Sequence, residues 1–279
     1  MRARQTVFGV RGFIVAIAVA IFALPNPAGA VDTIPFTDTG GLIQVQGSVD
    51  GLTAVPMLVN LGAGVDVLST DLGRRTVVVE GKYVSLRLTG ERVDLPIGKV
   101  LTFAIGGVRI DAPHVGIWAG LDPTGVSGLI SATAFRNITA TFDFPGQRIV
   151  IEDAVSLPER TRMAIRVPVI LQDDFGIALG VFARFNFGGG KTGLCEIDTG
   201  APGITLDRTF AAAHGLNPGG GAEIRLASVA LDGAPQTAVK SQTVKVGNLI
   251  YDCDVGNAFW SGRSFTLDLP SRFLYVEQP

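Results

Sequence analysis

The sequence contains few of the residues on which metal binding and nucleic-acid binding depend. The chain of 279 residues has two His and two Cys, and charged residues make up 17% of it, against about 25% in typical domains. We therefore expect no metal site and no cofactor. No block of basic residues is present and the formal net charge is −2, so nucleic acid is not an expected partner.

Apolar residues and glycine are abundant instead. Hydrophobic residues make up 47% of the chain, and there are 36 Gly and 15 Pro. This composition excludes a disordered chain, which needs low hydrophobicity and high net charge. Together with many Val, Ile and Thr, it is typical of short strands joined by tight turns. The length suits one large all-β domain or two small domains.

The N-terminal segment, 1–30, has the pattern of a secretory signal peptide. Arg2, Arg4 and Arg11 precede an apolar run over 13–24, and the small residues of 28–30 follow. An uncleaved anchor is the alternative, but the apolar run is shorter than the ~20 residues that a spanning helix needs. We predict a mature protein that starts at Val31, has no membrane span and is secreted or periplasmic.

The remainder of the sequence contains the same ordered motifs twice. Leu58–Gly64 resembles Glu196–Pro202, and further along each copy Thr141–Pro145 resembles Thr266–Pro270. Ordered repetition of this kind indicates a duplicated structural unit. We predict an N-terminal lobe over 31–155 and a C-terminal lobe over 156–279, both built from β-strands.

Two local patterns predict individual elements. Asp50 and Gly51 stand between two apolar runs, which is a strong signal for a β-hairpin. Asp207 is a good N-cap and Gly215 suits the left-handed position after a helix, so a short helix is predicted over 208–214.

The strand that ends in Ile197 is followed by Asp198, Thr199 and Gly200. An apolar strand followed by this triplet presents a carboxylate at a sharp turn, where glycine avoids a steric clash. Two such loops face to face would place two carboxylates around one water, and the pair would share one proton. One carboxylate would take a proton from the water while the other protonated a carbonyl oxygen.

The ordered motifs resemble those of the bilobal aspartic peptidases, the pepsin-like and retroviral-like group, over nearly all of 31–279. The resemblance implies an all-β, two-lobed acid-protease-like fold with a cleft that accepts an extended peptide or an unfolded protein. It assigns Asp198 a catalytic role, with Thr199 and Gly200 supporting its loop. We expect the protein to be a monomer.

The N-terminal lobe departs from the family pattern at its central loop. Asn60 occupies the position of the partner aspartate, Leu61 replaces the threonine, Gly62 is kept, and Ser131 replaces a glycine further on. An amide cannot exchange a proton as a carboxyl group does, and Leu61 has no hydroxyl with which to clamp the two loops together. We therefore predict low or no proteolysis. The alternatives are an active endopeptidase that uses Asp198 with Asn60, and a non-catalytic module that binds a peptide or a cell-envelope protein.

The N-terminal lobe also has a longer connection after its central loop. The stretch from Asn60 to Ser131 is longer than the equivalent stretch from Asp198 to Gly256. The resemblance implies that the additional residues, within 76–128, form a β-hairpin flap over the cleft. Tyr83 and Phe103 are the candidate aromatic residues of that flap.

Cys195 and Cys253 lie three residues before Asp198 and Gly256, at matching places in the motifs. An exported protein with only two Cys favours a disulfide between them. Two small buried thiols, or one reactive thiol, are the alternatives.

Overall fold

The computed structural model describes residues 31–216 and 221–277. The predicted signal peptide, 1–30, lies outside the described residues. Residues 31–279 form one compact unit by their contacts. No helix within the described ranges is both long enough and apolar enough to cross a membrane.

The first half of the unit consists mainly of strands. They are β1 Thr33–Pro35, β2 Thr37–Asp38, β3 Ile43–Val49, β4 Leu52–Val59, β5 Asp66–Leu68, β6 Val78–Leu86, β7 Arg92–Lys99, β8 Phe103–Ile105, β9 Val108–Arg109, β10 Val115–Ile117, β11 Gly128–Ile130, β12 Thr139–Asp143 and β13 Arg148–Glu152. Its short helical segments are α1 Thr70–Thr76, the 3₁₀ turns Ala119–Thr124 and Ala132–Phe135, and α2 Ser156–Thr161.

The second half repeats this organisation. Its strands are β14 Ile165–Pro168, β15 Ile170–Asp174, β16 Ala178–Asn186, β17 Thr192–Ile197, β18 Ile204–Asp207, β19 Glu223–Leu231, β20 Ala234–Gly247, β21 Cys253–Val255, β22 Ser264–Asp268 and β23 Phe273–Val276. Its helices are α3 Arg208–Ala213 and α4 Asn257–Trp260.

Each half builds a sheet of its own, and both halves contribute to a third. The first sheet has the order β6-β7-β10-β5-β11-β4-β3-β8-β9, with β2 added on β3, and the second has the order β15-β16-β17-β21-β18-β20-β19. The shared sheet has the order β1-β13-β12-β22-β23-β14. The predicted all-β, two-lobed fold class is therefore confirmed.

The centre of the shared sheet contains the duplicated motif. Strands β12 and β22 pair antiparallel with Thr141 opposite Thr266, and the Oγ1 atoms of these two residues are 2.7 Å apart. Because these two Thr are equivalent in the repeat and face each other, the pseudo-twofold axis that relates the lobes passes between them. Phe142 and Phe265 stack beside this pair with ring centroids 4.8 Å apart, and both are fully buried.

The turns that follow β12 and β22 also repeat. The carboxylate of Asp143 accepts a hydrogen bond from the N–H of Gly146 (2.9 Å), and that of Asp268 accepts one from the N–H of Ser271 (3.1 Å). Because these four residues occupy equivalent positions of the repeat, the duplication extends to single hydrogen bonds.

The two locally predicted elements are confirmed. Strands β3 and β4 form a hairpin whose turn residues Asp50 and Gly51 both have positive φ, as tight hairpin turns require. Helix α3 begins after Asp207, whose carboxylate accepts hydrogen bonds from the N–H groups of Thr209 and Phe210. Gly215 follows its end with a φ of 64°.

Candidate functional site

Two loops in equivalent places carry the predicted site residues. Asn60 follows β4 and Asp198 follows β17. The N–H of Asn60 donates to Ile130 O (2.8 Å), and the N–H of Asp198 donates to Val255 O (3.1 Å). Each strand thus runs beside its parallel partner, β11 or β21, and delivers a polar side chain at its end.

The two loops face each other closely. A Cβ atom added to Gly62 would lie 2.5 Å from Cγ of Asp198, and one added to Gly200 would overlap the carboxamide of Asn60. Each glycine of one loop therefore gives room to the polar side chain of the other loop. The structure brings together Asn60 and Asp198, and both side chains line one cavity.

The two polar side chains of the loops differ in what they can do chemically. Oδ1 of Asp198 accepts from the N–H of Gly200 (2.7 Å), while Oδ1 of Asn60 accepts from the N–H of Ala63 (2.9 Å). Burial raises the pKa of Asp198 to about 6, against the opposing effect of the N–H groups of Gly200 and Gly62, which favour the carboxylate. Asp198 can exchange a proton near neutral pH, whereas the amide of Asn60 can only donate and accept hydrogen bonds.

The threonine clamp between the loops exists on one side only. Oγ1 of Thr199 accepts from the N–H of Leu61 (3.0 Å) and donates to Val59 O (2.8 Å). Leu61 is fully buried in the apolar core and has no hydroxyl with which to return these contacts. The two hydrogen bonds of Thr199 Oγ1 still connect the C-terminal loop to the N-terminal loop.

Ser131 takes part in a buried hydrogen-bond cluster around a carboxylate. Asp66 is fully buried and accepts hydrogen bonds from Ser131 N (2.6 Å), Ser131 Oγ (2.9 Å) and Thr133 Oγ1 (2.9 Å). Burial raises the pKa of Asp66 to about 6 despite these donors. At the equivalent places in the other lobe stand Ile204 and Gly256, where a Cβ added to the glycine would overlap backbone carbonyl oxygens. The serine therefore belongs to a buried polar pair that only the N-terminal lobe has.

A hairpin of β6 and β7 extends from the N-terminal lobe and contacts the C-terminal lobe. The hydroxyl of Tyr83, on β6, donates to Oδ2 of Asp174 in the C-terminal lobe at 2.7 Å. At the hairpin tip, Leu88 O accepts a hydrogen bond from the N–H of Ile250 (3.0 Å), also in the C-terminal lobe. The hairpin lies within 76–128, where the resemblance implied a flap, and Tyr83 lies on it. We call this hairpin the flap. Phe103 does not lie on the flap, because it is buried in the core of the N-terminal lobe.

Two cavities are lined by residues of the flap together with residues of the N-terminal central loop. The first, of about 210 Å³, is lined by Asn60 and Asp198, by Ser85 and Arg87 of the hairpin, and by several apolar side chains. We call it the apolar cavity; its apolar side chains are those of Ala63, Val65, Val67, Leu86, Leu88, Val93, Leu95, Trp118 and Leu129. A larger cavity of about 460 Å³, around Phe103 and Pro113, shares no residue with the loops.

The second cavity lined by the flap, of about 410 Å³, lies on the side of the C-terminal lobe. We call it the acidic cavity; it is lined by Gly62, Gly64, Tyr83, Val84, Ser85, Leu86, Leu88, Gln172, Asp173, Asp174, Ala178, Gly180, Glu196, Ile250 and Tyr251. Sequence reasoning missed the acidic residues here. The one available signal was the Glu two residues before Asp198, in an otherwise apolar strand.

The predicted disulfide between Cys195 and Cys253 is confirmed. The two residues are register partners in the parallel strands β17 and β21, with Cα atoms 4.5 Å apart. The equivalent partners in the N-terminal lobe are Met57 and Gly128, where the Met side chain packs against the glycine. No group of three or more His, Cys, Asp or Glu side chains in the described ranges is arranged to hold a metal ion.

Comparisons with known proteins establish the fold. No protein-family model matches the chain, and no curated protein sequence matches it. Among solved structures, an aspartic proteinase from Irpex lacteus is similar with a TM-score of 0.56 and 14% identity, over 89% of this chain and 97% of that one.

Two globulins are similar to a comparable extent. Basic 7S globulin from soybean has a TM-score of 0.53 and 14% identity, over 88% of this chain and 94% of that one. Conglutin gamma, a basic 7S globulin from lupine seeds, has a TM-score of 0.55 and 12% identity, over 89% of this chain and 95% of that one. The chain therefore has the aspartic-proteinase fold, and this fold is shared by proteins that are named for different roles.

Proposed function

We propose that this protein binds an extended peptide in the cleft beneath its flap and hydrolyses it slowly or not at all. The observation that carries this proposal is the pairing of Asn60 with Asp198. The two loops keep the close approach of a two-carboxylate site, but one of the two side chains cannot exchange a proton.

The cleft retains features that suit an extended ligand. At the flap tip, Leu88 O accepts a hydrogen bond from the N–H of Ile250 in the C-terminal lobe. An extended peptide beneath the flap can replace this bond with hydrogen bonds from its own backbone. The apolar cavity beside Asp198 can accommodate an apolar side chain. We further propose that the protein is exported by residues 1–30 and acts as a monomer; its disulfide agrees with export.

A weak peptidase is the second candidate, and the intact surroundings of Asp198 favour it. The carboxylate keeps the N–H groups of Gly200 and Gly62, and its pKa of about 6 suits a general base. In that mechanism Asp198 activates water, and the amide of Asn60 donates a hydrogen bond to the peptide carbonyl oxygen.

One experiment separates the two candidates. A denatured reporter protein is incubated with wild type and with Asp198→Asn from acidic to neutral pH, and both binding and cleavage are measured. Binding by both proteins with background cleavage supports the peptide-binding function. Cleavage by wild type that Asp198→Asn abolishes supports the weak peptidase. Absence of binding by either protein contradicts the proposed function.

A further inference from the structure

The acidic cavity contains negative charge without a matching cation. Its charged lining residues are Asp173, Asp174 and Glu196, and no Lys, Arg or His lines it among the described residues. Asp173 is paired with Arg136, and Asp174 accepts the hydroxyl hydrogen bond of Tyr83. Glu196 remains: burial and the charge of Asp198 act on its carboxyl group, with neither a donor nor a cation beside it in the described part of the chain.

A second acid lies next to Glu196. Asp254, on β21, is its register partner in the parallel pair of β17 and β21, so the two side chains leave the same face of the sheet. Glu196 is 6% exposed and Asp254 is 2% exposed. Oδ1 of Asp254 is fully buried and has no hydrogen-bond partner in the described structure. Unpaired buried acceptors of this kind are rare in folded proteins and call for a ligand or a functional role.

The duplicated fold shows how unusual these two acids are. The equivalent residues of the N-terminal lobe are Leu58 and Leu129, which are register partners in the parallel pair of β4 and β11. One residue of each pair lines a cavity: Leu129 lines the apolar cavity, and Glu196 lines the acidic cavity with Asp254 buried beside it.

We propose that the acidic cavity binds the cationic side chain of an Arg or Lys residue in the bound peptide, with Glu196 of its lining as the direct counter-charge and the buried Asp254 beside Glu196 as the second one. This inference rests on the proposed peptide-binding function. A guanidinium group offers five donors in a planar fork, which suits two adjacent carboxylates, and Lys offers a compact charge with three donors. Successive side chains of an extended peptide point to opposite sides, so the preferred sequence has an apolar residue next to the basic one.

The electrostatics of the cavity agree with this assignment. Burial raises the pKa of Glu196 and of Asp254, and the charges of the neighbouring acids raise both pKa values further. A cation that enters the cavity favours the ionised carboxylates and removes this penalty. A neutral or anionic side chain in the cavity does not favour the ionised carboxylates.

The test is selection from a randomised octapeptide library on the immobilised full-length mature protein near neutral pH. We expect Arg and Lys to be enriched about tenfold at one position, the gain typical of one charge-assisted hydrogen bond, with apolar residues enriched next to it. The variant Glu196→Gln with Asp254→Asn should return Arg and Lys to their library frequency. The neighbouring apolar preference should remain, which shows that the variant is folded and binds.

A matched control and the opposing outcomes complete the test. Glu223→Gln makes the same substitution at an exposed position of the C-terminal lobe, outside the two cavities, and should keep the basic preference. Selected peptides without a basic preference would overturn the inference while leaving peptide binding intact. A basic preference that survives in the double variant would also overturn it. A library from which nothing is selected would contradict the proposed function and the inference together.

Discussion

Replacing Asn60 by Asp and Leu61 by Thr should convert the cleft into a working two-carboxylate site. The new carboxyl would face Asp198, whose pKa is already raised by burial, so the pair would hold one shared proton at acidic pH. By the pseudo-symmetry of the loops, the new Thr hydroxyl would accept from the N–H of Thr199 and donate to Ile197 O. These bonds would mirror the two hydrogen bonds that Thr199 Oγ1 already makes with the N-terminal loop.

The double substitution should change the free energy of unfolding only slightly. Leu61 is fully buried, and replacing it by the smaller Thr removes apolar contacts at about 1–3 kcal/mol. Two new hydrogen bonds return about 1 kcal/mol each. The fold should therefore survive, and the restored acid–base pair should raise the rate of hydrolysis about 10²–10⁴-fold.

The assay is cleavage of a denatured reporter protein between acidic and neutral pH. Asn60→Ala with Leu61→Thr is the matched control, since it changes both positions without adding a carboxyl. Asp198→Asn in the restored variant should abolish the gain. The reasoning is refuted if the restored variant has the thermal stability of the wild type, binds the reporter and still does not cleave it.

Three other parts of the structure can be tested by substitution. Replacing Cys195 and Cys253 by Ala should lower the free energy of unfolding by about 4 kcal/mol in denaturant titration, because the disulfide closes a long loop of the chain; an unchanged midpoint would contradict this. Tyr83→Phe should speed hydrogen exchange of the flap amides about tenfold, since it removes the bond to Asp174; unchanged exchange would show that the tip holds the flap alone. Asp254→Asn should raise stability relative to wild type increasingly as the pH rises above about 4, since a raised carboxyl pKa costs stability once the unfolded chain ionises; equal stability at acidic and alkaline pH would argue against a buried acid.

The sequence by itself predicted the features that repeat. The ordered motifs identified equivalent strands and turns in the two lobes, such as Thr141–Pro145 and Thr266–Pro270, because each copy of the motif forms its strand and turn through the same local pattern. The pairing of Cys195 with Cys253 could be predicted for the same reason, since both stand three residues before a central motif. The difference between Asn60 and Asp198 at equivalent places of the two copies was likewise visible in the sequence.

Only the tertiary structure decided the surroundings of the buried acids and the contacts of the flap. Glu196 and Asp254 are neighbours in the register that also pairs Cys195 with Cys253, but only the packed structure shows that both acids are buried with no cation beside them. Tyr83 reaches Asp174 because the flap of one lobe closes on the strands of the other. A single acidic residue in an apolar strand does not reveal its partners, because the charge around it depends on how separate strands and lobes pack together.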